Sequence, residues 1–193
     1  MQMKKSNYLV LASVFGALSL ASVQASAEDF FQPKRNEISA YGSIDNQSTS
    51  YSYGGASTSS TSETVVGQFG HYFTPQIVGT AGLMLTKTGG TSSTTITDVT
   101  VGGKYYFKAG KQGDWTPFVM ADVGLANYSG GGMSGTGYMV DAAGGVTYWV
   151  TESAGVNVDG KLKRESFSLS AGGASFTQTT NHVMVEFGLT LKF

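Results

Sequence analysis

Val183-Met184-Val185-Glu186-Phe187-Gly188-Leu189-Thr190-Leu191-Lys192-Phe193 ends the chain on strict alternation. Val183, Val185, Phe187, Leu189, Leu191 and Phe193 form one face, and Met184, Glu186, Gly188, Thr190 and Lys192 the other. A period of two marks an extended strand, because successive side chains point to opposite sides. One face here is wholly apolar and the other mixed, so the strand divides two environments. The same period recurs in Val99, Val101, Gly103, Tyr105 and Phe107, and again in Tyr138, Val140, Ala142, Gly144, Val146 and Tyr148. Weaker copies run Ile38 to Asp45, Val65 to Phe73, Ile77 to Thr86, Phe118 to Leu125 and Gly155 to Lys163, which makes eight candidate strands. Their lengths suit tilted strands crossing a bilayer, which need ~9 to 11 residues.

The other end of the chain reads as a leader. Lys4 and Lys5 precede an uncharged apolar run from Leu9 to Val23, and the small triplet Ala25-Ser26-Ala27 follows. This is the pattern of a secretory signal peptide cleaved after Ala27, and the run is short of the ~20 residues of a spanning helix. Residues 1–27 are therefore expected to be removed and 28–193 to form one domain. The remaining part has ten Lys/Arg against thirteen Asp/Glu, a net charge of −3, and no basic patch that would suit nucleic acid. The chain has no cysteine, which excludes disulfides, thiolate chemistry and cysteine-based metal sites. Glycine is abundant at 27, proline scarce at 3, and mean hydropathy lies near zero at −0.04. Plentiful apolar residues with no long apolar run after the leader fit a barrel that shows lipid only every second side chain.

The connections differ in character. Thr74-Pro75-Gln76, Lys108 to Asp114 and Val150 to Ala154 are short, whereas Asn46 to Ser62, Thr88 to Thr94, Ser129 to Gly137 and Ser168 to Gln178 are rich in Ser, Thr and Gly and carry no charge. The latter are expected to be mobile surface loops, longer on one side of the barrel than the turns on the other. Tyr72, Phe73, Tyr105, Tyr106, Phe107, Trp115, Phe118, Tyr148, Trp149 and Phe193 cluster beside the short turns or at the C-terminus. They are expected to form a girdle at the lower headgroup level. The competing reading places these rings in a soluble core.

With Trp115-Thr116-Pro117-Phe118-Val119-Met120-Ala121-Asp122-Val123-Gly124-Leu125-Ala126, the Gly-rich strand through Tyr148 and the terminal Phe193, the chain resembles the small outer-membrane β-barrel family of the OmpA transmembrane domain, OmpX and OmpW-like proteins. The resemblance covers essentially all of the chain after the leader. It implies an all-β fold, a single antiparallel transmembrane barrel of eight strands in up-and-down order, in the cell outer membrane. It further implies that Phe187, Leu189, Leu191 and Phe193 are the signal read by the barrel-assembly machinery. Outer-membrane lipid and lipopolysaccharide are the expected surroundings and a monomer the expected state. The chain ends at the barrel, so no peptidoglycan-binding domain is expected.

If the apolar face meets lipid, the other face lines the lumen, which then holds Asp122, Asp141, Lys161 and Glu186 at one height, with Lys104, Asp159 and Lys163 nearby. An eight-stranded barrel is just wide enough for side chains to fill it, so these charges are expected to pair with one another. A gated polar path is the alternative use of such a network. His71 and His182 fall at opposite ends of the barrel, which separates the two residues best suited to acid–base catalysis. Gly130 to Gly137 lacks the lysine and following helix of a phosphate loop and reads as a hairpin tip. No cofactor or metal is expected. The leading expectation is a non-enzymatic surface scaffold, with a narrow channel for small or apolar solutes as the alternative.

Overall fold

The computed structural model describes residues 36–52, 57–88, 94–171 and 174–193; the expected leader, residues 1–27, lies outside them. Eight strands follow one another: β1 Asn36–Tyr51, β2 Ser57–Tyr72, β3 Ile77–Thr88, β4 Thr94–Tyr106, β5 Trp115–Gly130, β6 Met133–Trp149, β7 Ala154–Ala171 and β8 Ala174–Lys192. Each pairs antiparallel with its sequence neighbours, and β1 pairs with β8, so the sheet closes into an up-and-down barrel. Closure leaves no strand edge with unpaired backbone groups. At the seam, Asn36 N–H donates to Phe193 O and Phe193 N–H to Asn36 O, both at 2.9 Å.

The register fixes how the barrel is wound. Cross-strand partners run Asn36, His71, Gly79, Gly103, Ala121, Ala142, Leu162, Val183 and back to β1 at Asn46, ten residues further along than the row began. A closed sheet with that stagger needs strands tilted by roughly 40°. Rows of partners therefore climb around the wall, a point on which the outer surface depends below.

The eight strands are longer than the sequence suggests. β5 to β8 have 16, 17, 18 and 19 residues. Three of the Ser/Thr/Gly segments expected as mobile loops are largely strand in their described residues: β1 and β2 stay paired as far as Ser50–Ser57, β5 and β6 as far as Gly130–Met133, and β7 and β8 as far as Ala171–Ala174, whereas 89–93 of the fourth lie outside the described residues. The expected contrast of short turns and long loops is thus not found. The β5–β6 hairpin turns on Gly131 and Gly132 alone, with φ of 60° and 76°, the left-handed pair a two-residue hairpin requires.

The reason these segments hide from a strand search is that the alternation inverts. On β7 the outward residues Val156, Val158 and Leu162 are exposed and apolar, and the inward Asn157, Asp159, Lys161, Lys163 and Glu165 are buried and polar. Further up, outward becomes Arg164, Ser168 and Ser170, while inward becomes Phe167 and Leu169, at most 1% exposed. The lower part is apolar outside and charged inside; in the upper part the outside turns polar and the inside of β4 to β7 turns apolar, while Gln47, Thr49, Gln178 and Thr180 keep β1 and β8 polar within. The first polarity suits hydrocarbon around the wall and the second suits water. The apolar outer band includes Leu125, 70% exposed, Leu162, 62%, and Val183, 60%. On β8 it runs from Val183 to Leu191, a rise of about 20 to 25 Å at the tilt above, close to the ~25 Å band of a membrane barrel.

Candidate functional site

The aromatics near the short turns do not form one girdle. Phe73, Tyr105, Phe107, Trp115 and Phe193 face outward as expected, with Tyr148 half-buried. Tyr72, Tyr106, Phe118 and Trp149 instead point into the lumen and pack with Val78 and Met120. Alternation itself forces this split: Tyr72-Phe73, Tyr105-Tyr106 and Tyr148-Trp149 are adjacent pairs, so one ring of each must turn in. The inward rings stopper the base. Tyr72 and Tyr106 stack at 6.3 Å between centroids, Lys192 Nζ sits 3.6 Å from the Trp149 centroid, and Trp149 Nε1 donates to Thr116 Oγ1 at 3.1 Å. A second apolar cluster of Ile96, Ala126, Tyr128, Met139, Phe167 and Leu169 fills the upper lumen.

Between the two stoppers the charges lie in three tiers. In the lowest, Lys104 Nζ donates to Glu37 Oε1 at 2.8 Å, and Tyr72 and Tyr106 hydroxyls donate to Glu37 Oε2 at 2.5 and 3.2 Å. Lys104 Nζ also donates to Tyr41 and Tyr106 hydroxyls at 3.3 and 3.4 Å and lies 5.3 Å from the Phe118 centroid. A desolvated ammonium among rings is held by both ion pairing and π-faces.

The middle tier joins Asp122, Asp141, Asp159, Lys161 and Glu186. Lys161 Nζ stands 2.8 Å from Glu186 Oε2, while Asp122 accepts from Thr80 Oγ1 at 2.7 Å and Gln68 Nε2 at 3.4 Å. Register places Asp122 beside Asp141 and Asp159 beside Glu186. Among the described residues neither carboxylate oxygen of Asp141 or of Asp159 has a hydrogen-bond partner. Four carboxylates against one lysine call for shared protons or trapped water.

The upper tier is one that sequence reasoning missed. His182 Nδ1 donates to Asp45 Oδ2 at 2.5 Å and Nε2 to Glu165 Oε2 at 2.8 Å; Lys163 pairs with Asp98 at 2.5 Å and also with Glu165. Ser62 Oγ adds a bond to Asp45 Oδ2 at 3.0 Å. Both ring nitrogens meet acceptors only, so two carboxylates are satisfied when the ring carries both protons. Ser62 touches the carboxylate and not the imidazole, and no serine hydroxyl is bonded to His182 among the described residues. His71 lies far below, its Nδ1 paired with Asn36 Oδ1 at 2.9 Å. Of the seven lumen charges read from the sequence, Asp122, Asp141, Lys161 and Glu186 share the middle tier with Asp159, whereas Lys104 belongs to the lowest and Lys163 to the highest. Glu37, Asp45, Asp98, Glu165 and His182 carried one signal that could have found them: each falls on the inward parity of its strand. Phe187 is exposed on the outer wall, Leu189 and Leu191 are half-buried there, and Phe193 closes the seam. Among the described residues no three acidic or histidine side chains converge to hold a metal ion.

An eight-stranded closed meander with an apolar outer band and a charged interior has the fold of the small outer-membrane β-barrels. The chain is similar to the neisserial surface protein NspA, at 15% identity and a TM-score of 0.55 over 81% of this chain and 97% of that one. It is similar also to the outer membrane protein OprG of Pseudomonas aeruginosa, at 13% identity and 0.54 over 84% and 97%. The N-terminal barrel domain of Pseudomonas aeruginosa OprF matches at 16% identity and 0.50 over 84% and 99%. No family model matches the sequence, and no curated protein does. At such identities the likeness concerns the fold alone.

Proposed function

We propose that this chain is a non-enzymatic, monomeric surface barrel of the outer membrane, a rigid scaffold that holds a Ser/Thr-rich crown above the lipid for adhesion or envelope integrity. On this reading it is exported after cleavage behind Ala27, assembled by machinery that reads Phe187, Leu189, Leu191 and Phe193, and surrounded by outer-membrane lipid and lipopolysaccharide. One observation carries the proposal: among the described residues the lumen holds one apolar cluster at its base and another near its top, with three tiers of buried charge between them. A lumen packed in this way favours a fixed interior over a path for solute. The outer wall of the crown, with Asn46, Ser48, Thr95, Asn127, Ser168 and Asn181 exposed, is mainly hydrogen-bonding and also carries the charges of Glu63, Lys87 and Arg164, a surface suited to polar ligands outside the cell.

Planar-bilayer recording tests this. The expected result is a silent protein. Steady openings abolished by Asp122→Asn or Lys161→Met would replace the scaffold with a channel, and conversion of phospholipid or lipid A by the purified barrel would replace it with an enzyme.

A further inference from the structure

The outward row His71, Gly79, Gly103 and Ala121, linked partner to partner across β2 to β5, carries almost no side-chain mass beyond its first member. The rows on either side are bulky, with Phe73, Ile77 and Tyr105 below and Phe69, Val101 and Val123 above. A trench of about 540 Å³ is cut into the apolar band here, lined by His71, Gly79 and the Phe73 ring that lies against Gly79, and above them by Phe69, Val101, Gly102 and Val123. Its floor is deepened at Gly102, which stands at an inward position yet is exposed to the outside.

Because rows climb around the wall, the trench climbs too. It starts at the base, where Asn36 begins β1 and pairs with His71, and ends beside Val123, well up the band. Its foot is polar and its upper course apolar. With Nδ1 donating to Asn36 Oδ1, the His71 ring leaves Nε2 as the polar atom at the foot. A lipid of the leaflet nearest the short turns has this shape and polarity: a donor-bearing headgroup at the interface and hydrocarbon rising toward the bilayer centre.

We propose that the trench is a binding site for one phospholipid of that leaflet, an acyl chain lying between Phe69 and Val101 above and Phe73 below and an ammonium or hydroxyl headgroup donor meeting His71 Nε2. Lipopolysaccharide, entering from the opposite leaflet, has the wrong orientation for it. The site rests on the reading that the outer band faces hydrocarbon.

The test uses the full barrel folded into vesicles of phosphatidylethanolamine and phosphatidylglycerol, released and weighed by native mass spectrometry. Ala81→Phe fills the trench from its upper rim, and Val158→Phe adds a ring to the outward face of β7, away from the trench. Wild type and Val158→Phe should retain one phospholipid, and Ala81→Phe should lose it by at least about tenfold, since the ring excludes several buried methylenes. Equal retention by all three proteins overturns the site, as does retention of lipopolysaccharide in its place when both lipids are supplied. A depth-sensing spin label at Val185, on β8 across the barrel, tells the two failures apart. A label in hydrocarbon with equal retention removes only the trench, whereas a label in water removes the membrane reading with it.

Discussion

Glu37 Oε1 accepts a hydrogen bond from Lys104 Nζ at 2.8 Å, and because the two stand on β1 and β4 the bond crosses the lumen instead of joining neighbouring strands. Both side chains are at most 2% exposed. Removing one partner leaves a buried charge unpaired, which costs about 3 to 5 kcal/mol, whereas removing both costs far less. Lys104→Met is therefore expected to lower the unfolding free energy in urea-titrated vesicles by about that amount. The double variant Glu37→Gln/Lys104→Met should recover most of it. A double variant as unstable as the single one would mean that the aromatic stopper, not the pair, holds the base.

Gly102 and Gly160 make opposite demands. A Cβ at Gly102 would come within 2.1 Å of Asp122 Oδ1 and 2.2 Å of the Ala121 carbonyl oxygen, the latter on backbone that cannot step aside. At Gly160 it would meet nothing within 4 Å. Gly102→Ala should reduce the yield of folded barrel, read as the fraction showing heat-modifiable gel migration, and Gly160→Ala should leave it unchanged or raise it slightly. Equal yields would show that β4 and β5 can separate freely at this height.

How much of this was legible beforehand follows from which solvent each strand segment meets. Val183 to Phe193 and Val99 to Phe107 alternate apolar with mixed residues because lipid touches one side, and that pattern needs no partner to be read. The crown obeys the opposite rule, and there the inward apolar residues, Phe167, Leu169 and Ile96, are few and set among serines and threonines. Ser168 to Ser170 therefore looks like loop although it is paired strand. The middle tier was visible because Asp122, Asp141, Lys161 and Glu186 stand at equal distances from the lower boundary. His182 and Asp45 escaped because they lie 137 residues apart and only barrel closure joins β8 to β1.

The inversion makes a depth-dependent prediction. Val101 is 58% exposed in the apolar band, and Ser168 is exposed in the crown. Arginine at a mid-band outer position costs ~2 to 4 kcal/mol, falling to ~0 to 1 at the interface. Val101→Arg should destabilise by about that mid-band amount and Ser168→Arg by less than about 1 kcal/mol in the same vesicle titration. The inner face should respond the other way, since Phe167→Ala opens a cavity in the upper stopper at a cost of about 3 to 5 kcal/mol while Ser168→Ala next to it should be near neutral. Comparable losses at Val101 and Ser168 would remove the boundary between band and crown.

His182 ties three strands through two carboxylates, Asp45 on β1 and Glu165 on β7, with Lys163 and Asp98 completing the tier. This tier lies beneath the upper stopper, at the height where the outer wall turns from Leu162 and Val183 to Arg164 and Asn181. Replacing the ring with leucine keeps much of its volume but removes both donors, leaving Asp45 and Glu165 facing an apolar side chain. His182→Leu is thus expected to cost about 3 to 5 kcal/mol, the penalty for stranding a buried charge. Neutralising its partners as well, in Asp45→Asn/Glu165→Gln/His182→Leu, removes the stranded charge and should return most of that loss. The seam gives a second readout: β1 and β8 meet at this tier, so amide hydrogen exchange in Val183 to Val185 should quicken in the single variant and slow again in the triple one. If His182→Leu leaves both the titration midpoint and seam exchange unchanged, the upper stopper alone fastens the closure and the charge tier is incidental to it.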